Sequence, residues 1–126
     1  MSRLICLESV DSTNEYLKKE AKNGAAEGTV VLANEQTAGK GRLGRSFASP
    51  PSMGVYMSML LRPNAAGEDI ASLTANAAVA VCKAIESVCG ISPEIKWVND
   101  LMLRNKKICG ILCESVSGEK GIEFVV

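Results

Sequence analysis

The alternation of apolar and polar positions along the 126-residue chain predicts short β-strands interrupted by two helices. Strands are expected where β-branched and other apolar residues form short runs, at 3–8, 29–34, 54–61, 94–98, 101–104, 106–116 and 122–126. Short turns at Asn99–Asp100 and Asn105–Lys106 join three consecutive strands. The pattern favours an α/β (α+β) fold, with a mixed, largely antiparallel sheet flanked by helices, over a doubly wound parallel sheet.

Capping residues and apolar spacing predict the two helices. The first is expected at about 13–23, because Ser12 and Glu15 have capping-box spacing and Gly24 stands where a helix would end. The second is expected at about 69–89, ended by Gly90. Its apolar stripe is formed by Ile70, Leu73, Ala77, Val81, Ala84 and Val88.

Charge and cysteine content narrow the class of protein. Fourteen basic and fourteen acidic side chains give a formal net charge of zero, which argues against a general nucleic-acid binder. The apolar runs are shorter than the roughly 20 residues of a membrane span, and no export signal is found. Five cysteines without histidine fit buried, reduced thiols. We therefore expect a cytoplasmic protein that binds neither DNA nor membrane.

Residues 35–53 are rich in glycine, serine and proline and are predicted to form a long loop. Lys40, Arg42 and Arg45 lie in it, and after position 35 the next acidic residue is Glu68. Glycines let backbone N–H groups approach a ligand and the cations neutralise negative charge, so phosphate or carboxylate binding is the natural use. The Gly-Lys-Ser/Thr ending of a Walker A loop is absent. The alternative is a mobile, solvated basic loop without a ligand.

Two further motifs place polar side chains at the ends of elements. Ser12-Thr13-Asn14 opens the first helix, where helix capping and the binding of a polar ligand are compatible. Lys96-Trp97-Val98-Asn99-Asp100 surrounds a strand end. Asp100 would hold a metal ion, orient a lysine, or simply form a turn with Asn99.

The segment at 106–116 contains two adjacent lysines. In a regular strand Lys107 would share one face with Cys109 and Ile111. Burying an unpaired charge on such an apolar face is costly, so Lys107 is a better functional candidate than Lys106. Gly110 would admit a flat ligand or form a bulge.

Four motifs in this order resemble the catalytic domain of biotin protein ligase (biotin–[acetyl-CoA-carboxylase] ligase). They are Ser12-Thr13-Asn14, residues 36–45 (QTAGKGRLGR), residues 96–100 (KWVND) and residues 107–112 (KICGIL). The resemblance runs from about residue 8 to the end and implies a core related to class II aminoacyl-tRNA synthetases. Residues 1–126 would be the N-terminal portion of that domain, without its C-terminal part and small β-barrel. The apolar run 122–126, which stops without a turn, gives the same expectation of a larger domain.

The resemblance implies an ATP-dependent ligase that works in two steps. The carboxylate of biotin attacks the α-phosphate of ATP, which forms biotinyl-5′-AMP and releases pyrophosphate. A lysine of a biotin carboxyl carrier domain on a carboxylase then attacks this mixed anhydride. ATP and Mg²⁺ are the implied cofactors, and biotin, ATP and the carrier domain the implied partners. An exposed edge strand at the end of the chain would also allow a homodimer.

The same resemblance assigns roles to individual residues. Biotin binding is implied for Ser12, Thr13, Asn14, Gln36, Gly39, Gly41, Lys107 and Gly110. Nucleotide binding is implied for Lys40, Arg42, Arg45, Phe47, Lys96, Trp97 and Asn99, and Mg²⁺ binding for Asp100. Catalysis is implied for Lys40, Arg42 and Lys107, whose cations would neutralise the carboxylate and phosphate where they react. The glycine-rich loop is expected to close over the ligand as a lid that orders on binding.

The sequence departs from the family pattern at several positions. Lys40 stands where many relatives have arginine, so the charge is kept without the bidentate fork. Phe47 replaces a common tryptophan and Val98 a common proline. No helix-turn-helix precedes residue 8, so a repressor role is not expected. Two alternatives stay open: a lipoate or octanoyl ligase of the same superfamily, and a truncated, non-catalytic biotin-binding module.

Overall fold

The computed structural model describes residues 2–63 and 69–126, which divide into two compact units. Unit 1 contains residues 2–63 and 114–126, and unit 2 contains residues 69–113. The elements, in chain order, are β1 (Leu4–Val10), α1 (Thr13–Lys22), β2 (Val30–Gln36), a 3₁₀ turn (Arg42–Gly44), β3 (Tyr56–Met59), α2 (Ile70–Cys89), β4 (Glu94–Lys96), β5 (Asp100–Leu103), β6 (Lys106–Gly110), β7 (Ser115–Gly118) and β8 (Gly121–Val125). The predicted mixed, largely antiparallel α/β class is confirmed, whereas the assignment of residues 1–126 to one domain stays a prediction.

Unit 1 is built on a sheet of order β1-β2-β3. β1 and β2 run parallel, and α1 supplies the crossover that a parallel pair requires, whereas β3 is antiparallel to β2. The β7–β8 hairpin joins this unit at its end, where Val125 exchanges two backbone hydrogen bonds of 2.8 Å with Leu61. Since β8 is bonded on both sides there, the expectation of an exposed edge strand at the end of the chain is wrong.

The core of unit 1 follows from the two-residue period of its strands. Alternate side chains of a strand lie on one face, and those of Ile5 and Val31 lie on the face of the sheet that packs against α1. The buried cluster consists of Ile5, Leu17, Ala21, Val31, Leu60, Phe124 and Val126. Arg62 lies 5.6 Å above the Phe124 ring and donates hydrogen bonds of 3.1 Å to the carbonyls of Ala21 and Ala25. The guanidinium of Arg62 therefore stabilises the edge of this core.

Unit 2 consists of the antiparallel sheet β4-β5-β6 with α2 packed against β4 and β5. The carboxylate of Asp69 caps α2 by accepting the N–H of Ser72 at 2.6 Å, and Gly90 ends the helix with a left-handed φ of 67°. Arg104 and Asn105 join β5 to β6 with φ values of 49° and 61°. Positive φ at both positions is typical of a tight hairpin turn that matches the twist of its strands.

The strand predictions between 94 and 116 are wrong in their bounds. The segment 106–116 is two strands, β6 and β7, because after Ile111 the backbone pairing passes from β5 to Val126, with which Glu114 exchanges two hydrogen bonds. β4 ends at Lys96, and Asp100 begins β5 rather than forming a turn with Asn99. β7 continues to Gly118, beyond the predicted end at position 116.

The predictions for α2 and for the cysteines also need correction. The buried residues of α2 are Thr74 and Ala78, while Val88 of the predicted stripe is 84% exposed. Contrary to the expectation from the apolar runs, α2 has the length and composition of a membrane span, a test that core helices also pass. The predicted absence of a membrane partner stays a prediction. All five cysteines are free thiols, but none of them is buried.

Candidate functional site

A group of polar side chains surrounds the N-terminus of α1 in unit 1. This polar cluster consists of Ser12, Thr13, Asn14, Gln36, Ser49 and Ser58. Ser12 and Thr13 are only 2% and 4% exposed. The Ser12 hydroxyl accepts the N–H of Glu15 at 3.4 Å, so the predicted helix cap is confirmed.

Gln36 ties the polar cluster to the glycine-rich loop. Its Oε1 accepts both the backbone N–H and the hydroxyl of Thr13, at 2.9 and 3.0 Å. Its Nε2 donates to the Ser49 hydroxyl at 2.8 Å, and that hydroxyl lies 3.1 Å from the carbonyl of Phe47, to which it donates. The pairing of Thr13 and Gln36, predicted to act on one ligand, thus joins α1 to the end of β2.

Three residues of the site were missed by sequence reasoning: Ser49, Ser58 and Glu114. The Ser58 hydroxyl lies 2.8 Å from Oγ1 of Thr13 and also contacts Oδ1 of Asn14. Nδ2 of Asn14 donates to Oε2 of Glu114 at 2.9 Å. For Ser58 a signal was available, because strand alternation places it on the same buried face as Tyr56 and Leu60, and an inward polar residue needs a partner.

The glycine-rich loop is folded rather than structureless. The Gly41 N–H donates to the Arg45 carbonyl at 2.7 Å, and the Phe47 N–H donates to the Gly39 carbonyl at 2.8 Å. A Cβ at Gly39 would collide with the Phe47 carbonyl and lie 2.7 Å from the Ser49 hydroxyl. Glycine is therefore required there by close backbone approach, not by φ.

The cations of the loop occupy different environments. Arg42 and Arg45 lie on the exposed tip, and Phe47 beside them is 38% exposed. Lys40 instead turns back onto α1, where its ammonium lies 2.8 Å from Oε1 of Glu15. Both arginines thus belong to exposed residues of the loop, and the ammonium of Lys40 contacts a carboxylate.

A chain of four charged side chains links this loop to the polar cluster. This ion-pair chain runs Lys40–Glu15–Lys18–Glu114, with contacts of 2.8, 2.9 and 3.0 Å. Hydrogen bonds from Lys40 and then Lys18 lower the pKa of Glu15 to about 2. Burial disfavours the charge of Lys18, but its hydrogen bonds to Glu15 and Glu114 outweigh this and raise its pKa. Glu15 and Lys18 are therefore held in their charged forms at neutral pH.

In unit 2, Lys107 pairs with Asp100 across two strands, with Nζ and Oδ1 2.8 Å apart. Oδ1 of Asp100 is shielded from solvent, and its contact with Lys107 is an ion pair without the alignment of a hydrogen bond. The prediction that Lys107 lies on an apolar, core-like face is wrong, because its side chain is 44% exposed. The cause is a bulge at Ile108, which leaves Lys107 opposite Met102 and breaks the regular alternation.

The other predicted residues of unit 2 lie around this ion pair. Lys96 and Gly110 are the partners of Asp100 in the neighbouring strands, and Trp97 is 77% exposed. The Asn99 carbonyl accepts the Ile111 N–H. Burial raises the pKa of the neighbouring Cys109 thiol, against the opposing effect of the Lys107 charge.

The carboxylate of Asp100 faces an ammonium, which corresponds to the alternative in which Asp100 orients a lysine. Throughout residues 2–63 and 69–126, no three His, Cys, Asp or Glu side chains converge in the manner of metal ligands. Mg²⁺ binding by Asp100 stays a prediction.

Comparison with known proteins adds to this geometry. The sequence model of the Biotin/lipoate A/B protein ligase family matches residues 6–126. Bifunctional ligase/repressor BirA of Bacillus spizizenii is 41% identical over 123 residues, which cover 98% of this chain and 38% of that protein. Biotin–[acetyl-CoA-carboxylase] ligase of Paracoccus denitrificans is 37% identical over 121 residues, covering 94% and 50%.

Solved structures agree with the sequence comparisons. Biotin protein ligase from Aquifex aeolicus in complex with biotin and ATP matches with a TM-score of 0.82 and 36% identity, covering 99% of this chain and 50% of that one. This chain thus spans half or less of the length of these relatives. The family match extends over nearly every residue and includes all four motifs. The chain belongs to the Biotin/lipoate A/B protein ligase family.

Proposed function

We propose that this protein activates biotin with ATP and transfers it to a lysine of a biotin carboxyl carrier domain. The observation that carries the proposal is the connection of a buried polar cluster to a folded basic loop through Gln36 and Ser49. Relatives named biotin ligases, and one solved with biotin and ATP, support this choice of substrate.

The two ends of biotin match the two parts of this arrangement. The cyclic urea of its head group carries N–H donors and a carbonyl acceptor, and the polar cluster offers hydroxyl and amide groups that both donate and accept. The carboxylate at its other end is anionic. Lys40 and Arg42 lie in the loop that is bonded to the polar cluster, so cations are available near that end.

The proposed chemistry needs positive charge more than it needs a base. A carboxylate oxygen of biotin bonds to the α-phosphorus of ATP while the bond to the pyrophosphate oxygen breaks. The lysine amine of the carrier domain then attacks the acyl carbon, AMP leaves, and the amine nitrogen loses a proton. Because the two reactants of the first step are both anions, cations that neutralise them lower its barrier. Lys40, Arg42 and Lys107 are proposed for this role, and the assignment of Lys107 rests on the family pattern.

Magnesium is proposed to enter with the nucleotide. Mg²⁺ is bound in many ATP-dependent enzymes by one or two carboxylates, by water and by the phosphates themselves. We assign no step to a metal ligand of this chain.

The proposal is tested by ATP-dependent release of pyrophosphate with biotin, lipoate or octanoate as substrate, followed by transfer to a purified carrier domain. We expect biotin to be the preferred acid. Lys40→Met should reduce the rate, whereas Lys19→Met, an exposed position on α1, should not. Faster adenylation of lipoate or octanoate would show the alternative ligase of the superfamily. Biotin binding without biotinyl-5′-AMP would show the non-catalytic binding module.

Four further expectations stay predictions. They are a cytoplasmic location, the absence of DNA binding, the absence of membrane binding, and assembly as a homodimer. Sedimentation of the purified protein and binding assays with DNA and lipid vesicles test the last three.

A further inference from the structure

We infer that Glu114 is a positioning residue that fixes the direction of the hydrogen bonds in the polar cluster, and through them its preference for a ligand with N–H donors. The inference rests on the proposed function, because it concerns how that site recognises the head group of its substrate. Glu114 lies outside all four sequence motifs.

The position of Glu114 is fixed from two sides. Its backbone exchanges two hydrogen bonds of 2.9 Å with Val126, just before β7. Its Oε2 accepts Nδ2 of Asn14 at 2.9 Å and lies 3.0 Å from the ammonium of Lys18. The side chain is 27% exposed, so these charge-assisted contacts are partly shielded from water. A carboxylate held in this way is a fixed acceptor.

This acceptor determines the orientation of the Asn14 amide. An ionised carboxylate cannot donate, so Asn14 must turn its Nδ2 towards Glu114 and its Oδ1 towards Ser58. The Ser58 hydroxyl has one proton and two close oxygens, Oδ1 of Asn14 and Oγ1 of Thr13 at 2.8 Å. Oδ1 of Asn14 has no proton, so the Ser58 proton goes to it, and the Thr13 hydroxyl directs its single proton either to Oε1 of Gln36 or to Ser58.

The consequence concerns what Ser58 offers to other groups. With its proton on Asn14, its oxygen acts as an acceptor, either for the hydroxyl of Thr13 or for a ligand N–H group. If the Asn14 amide were reversed, Nδ2 would face Ser58 and use this acceptor capacity. A cyclic urea has N–H groups that need acceptors, whereas the dithiolane of lipoate and the alkyl chain of octanoate have none. Glu114 is therefore expected to favour biotin over both.

The first variant is Glu114→Gln, with Glu119→Gln as a control that makes the same charge change at the exposed β7–β8 turn. A glutamine presents both an acceptor and a donor to Asn14, so it no longer determines the orientation of that amide. By titration calorimetry with the 126-residue chain, we expect biotin to bind about fivefold more weakly, the loss typical of one neutral hydrogen bond. Octanoate binding and the Glu119→Gln control should stay unchanged.

A reciprocal exchange separates positioning from simple stabilisation. Asn14→Asp alone places two carboxylates together and should weaken biotin binding. In the double variant Asn14→Asp with Glu114→Gln, the glutamine amide donates to the new carboxylate at position 14, whose second oxygen again accepts from Ser58. Biotin affinity should then rise above that of either single variant, a non-additive result expected only for directly coupled residues.

Three results decide the inference. Recovery of biotin affinity in the double variant, with thermal unfolding midpoints alike in all folded variants, supports it. Equal biotin affinity for Glu114→Gln and the unmodified chain overturns it, as does equal weakening of biotin and octanoate. If the unmodified chain binds octanoate or lipoate but not biotin, the proposed function itself fails, which is a different outcome.

Discussion

Replacement of Glu15 by glutamine is expected to destabilise unit 1 at neutral pH and to lose this effect in acid. Both Lys40 and Lys18 contact Oε1 of Glu15, at 2.8 and 2.9 Å, and these hydrogen bonds lower its pKa from 4.5 to about 2. At about 1.4 kcal/mol per pKa unit, such a shift corresponds to roughly 3 kcal/mol as an upper limit. Because Glu15 and Lys40 are 30% and 46% exposed, solvent screening reduces the expected contribution to about 1 kcal/mol.

The direction of the pH dependence follows from the lowered pKa. The stabilisation is fully present above pH 4.5, the ordinary value, and is lost as the pH falls towards 2. Glutamine keeps the length and the helical preference of Glu15, so the comparison isolates the charge. The difference in unfolding free energy between the two proteins should therefore shrink steadily below pH 4.5.

Urea unfolding followed by circular dichroism, at pH 7, 4 and 3, measures this difference. Glu20→Gln is the matched control, because Glu20 lies on the same helix and makes no ion pair with residues 2–63 or 69–126. High salt at pH 7 should also reduce the effect of Glu15→Gln. A difference that is the same at pH 7 and pH 3 would refute the reasoning, since the ion pairs would then not be its source.

Three further predictions concern the loop and unit 2. Gly39→Ala should lower the unfolding free energy by about 1–3 kcal/mol, because its Cβ would collide with backbone, whereas Gly41→Ala, at a φ of −111°, makes only ordinary contacts of 3.5 Å or more and should cost less; urea unfolding compares them. Arg42→Gly should release biotinyl-5′-AMP faster than the unmodified protein does, by loss of a cation at the loop tip; unchanged retention on a desalting column would contradict this. Lys107→Ala should lower the rate of pyrophosphate release much more than Lys106→Ala, because Lys107 pairs with Asp100 and is proposed to neutralise the reacting anions. Equal rates for the two variants would contradict this role of Lys107.

The elements that were predicted correctly are those fixed by local chemistry. α1 and α2 have a capping side chain at one end, Ser12 and Asp69, and α2 has Gly90 in the left-handed conformation at the other. Such signals lie within one turn of the helix end that they define, so they can be read from the sequence. The long strand at 106–116 was wrong because its break depends on a change of pairing partner, from β5 to Val126, which no local pattern encodes.

The residues of the candidate site show the same difference between local motifs and contacts that are distant in sequence. Ser12, Thr13 and Gln36 were found because they lie in compact motifs, although their mutual contacts were not. Ser58 and Glu114 were missed because their partners at the helix start are 45 and 100 residues away in sequence. The position of Lys107 was misjudged, since the bulge beside it shifts its side chain without changing the composition of the strand.

The hydrogen bonds already formed within the polar cluster limit how much its side chains can add to the affinity for a ligand. Thr13, Gln36 and Ser49 already bond to one another, so a polar head group exchanges existing hydrogen bonds rather than filling vacant ones. The net gain from each neutral exchange is about 1 kcal/mol or less. In the proposed complex, Lys40 would exchange one carboxylate, that of Glu15, for another, and the arginines at the loop tip would face the anions of the ligand. The head group should therefore set specificity, and the affinity should fall with rising salt because it depends on the loop cations.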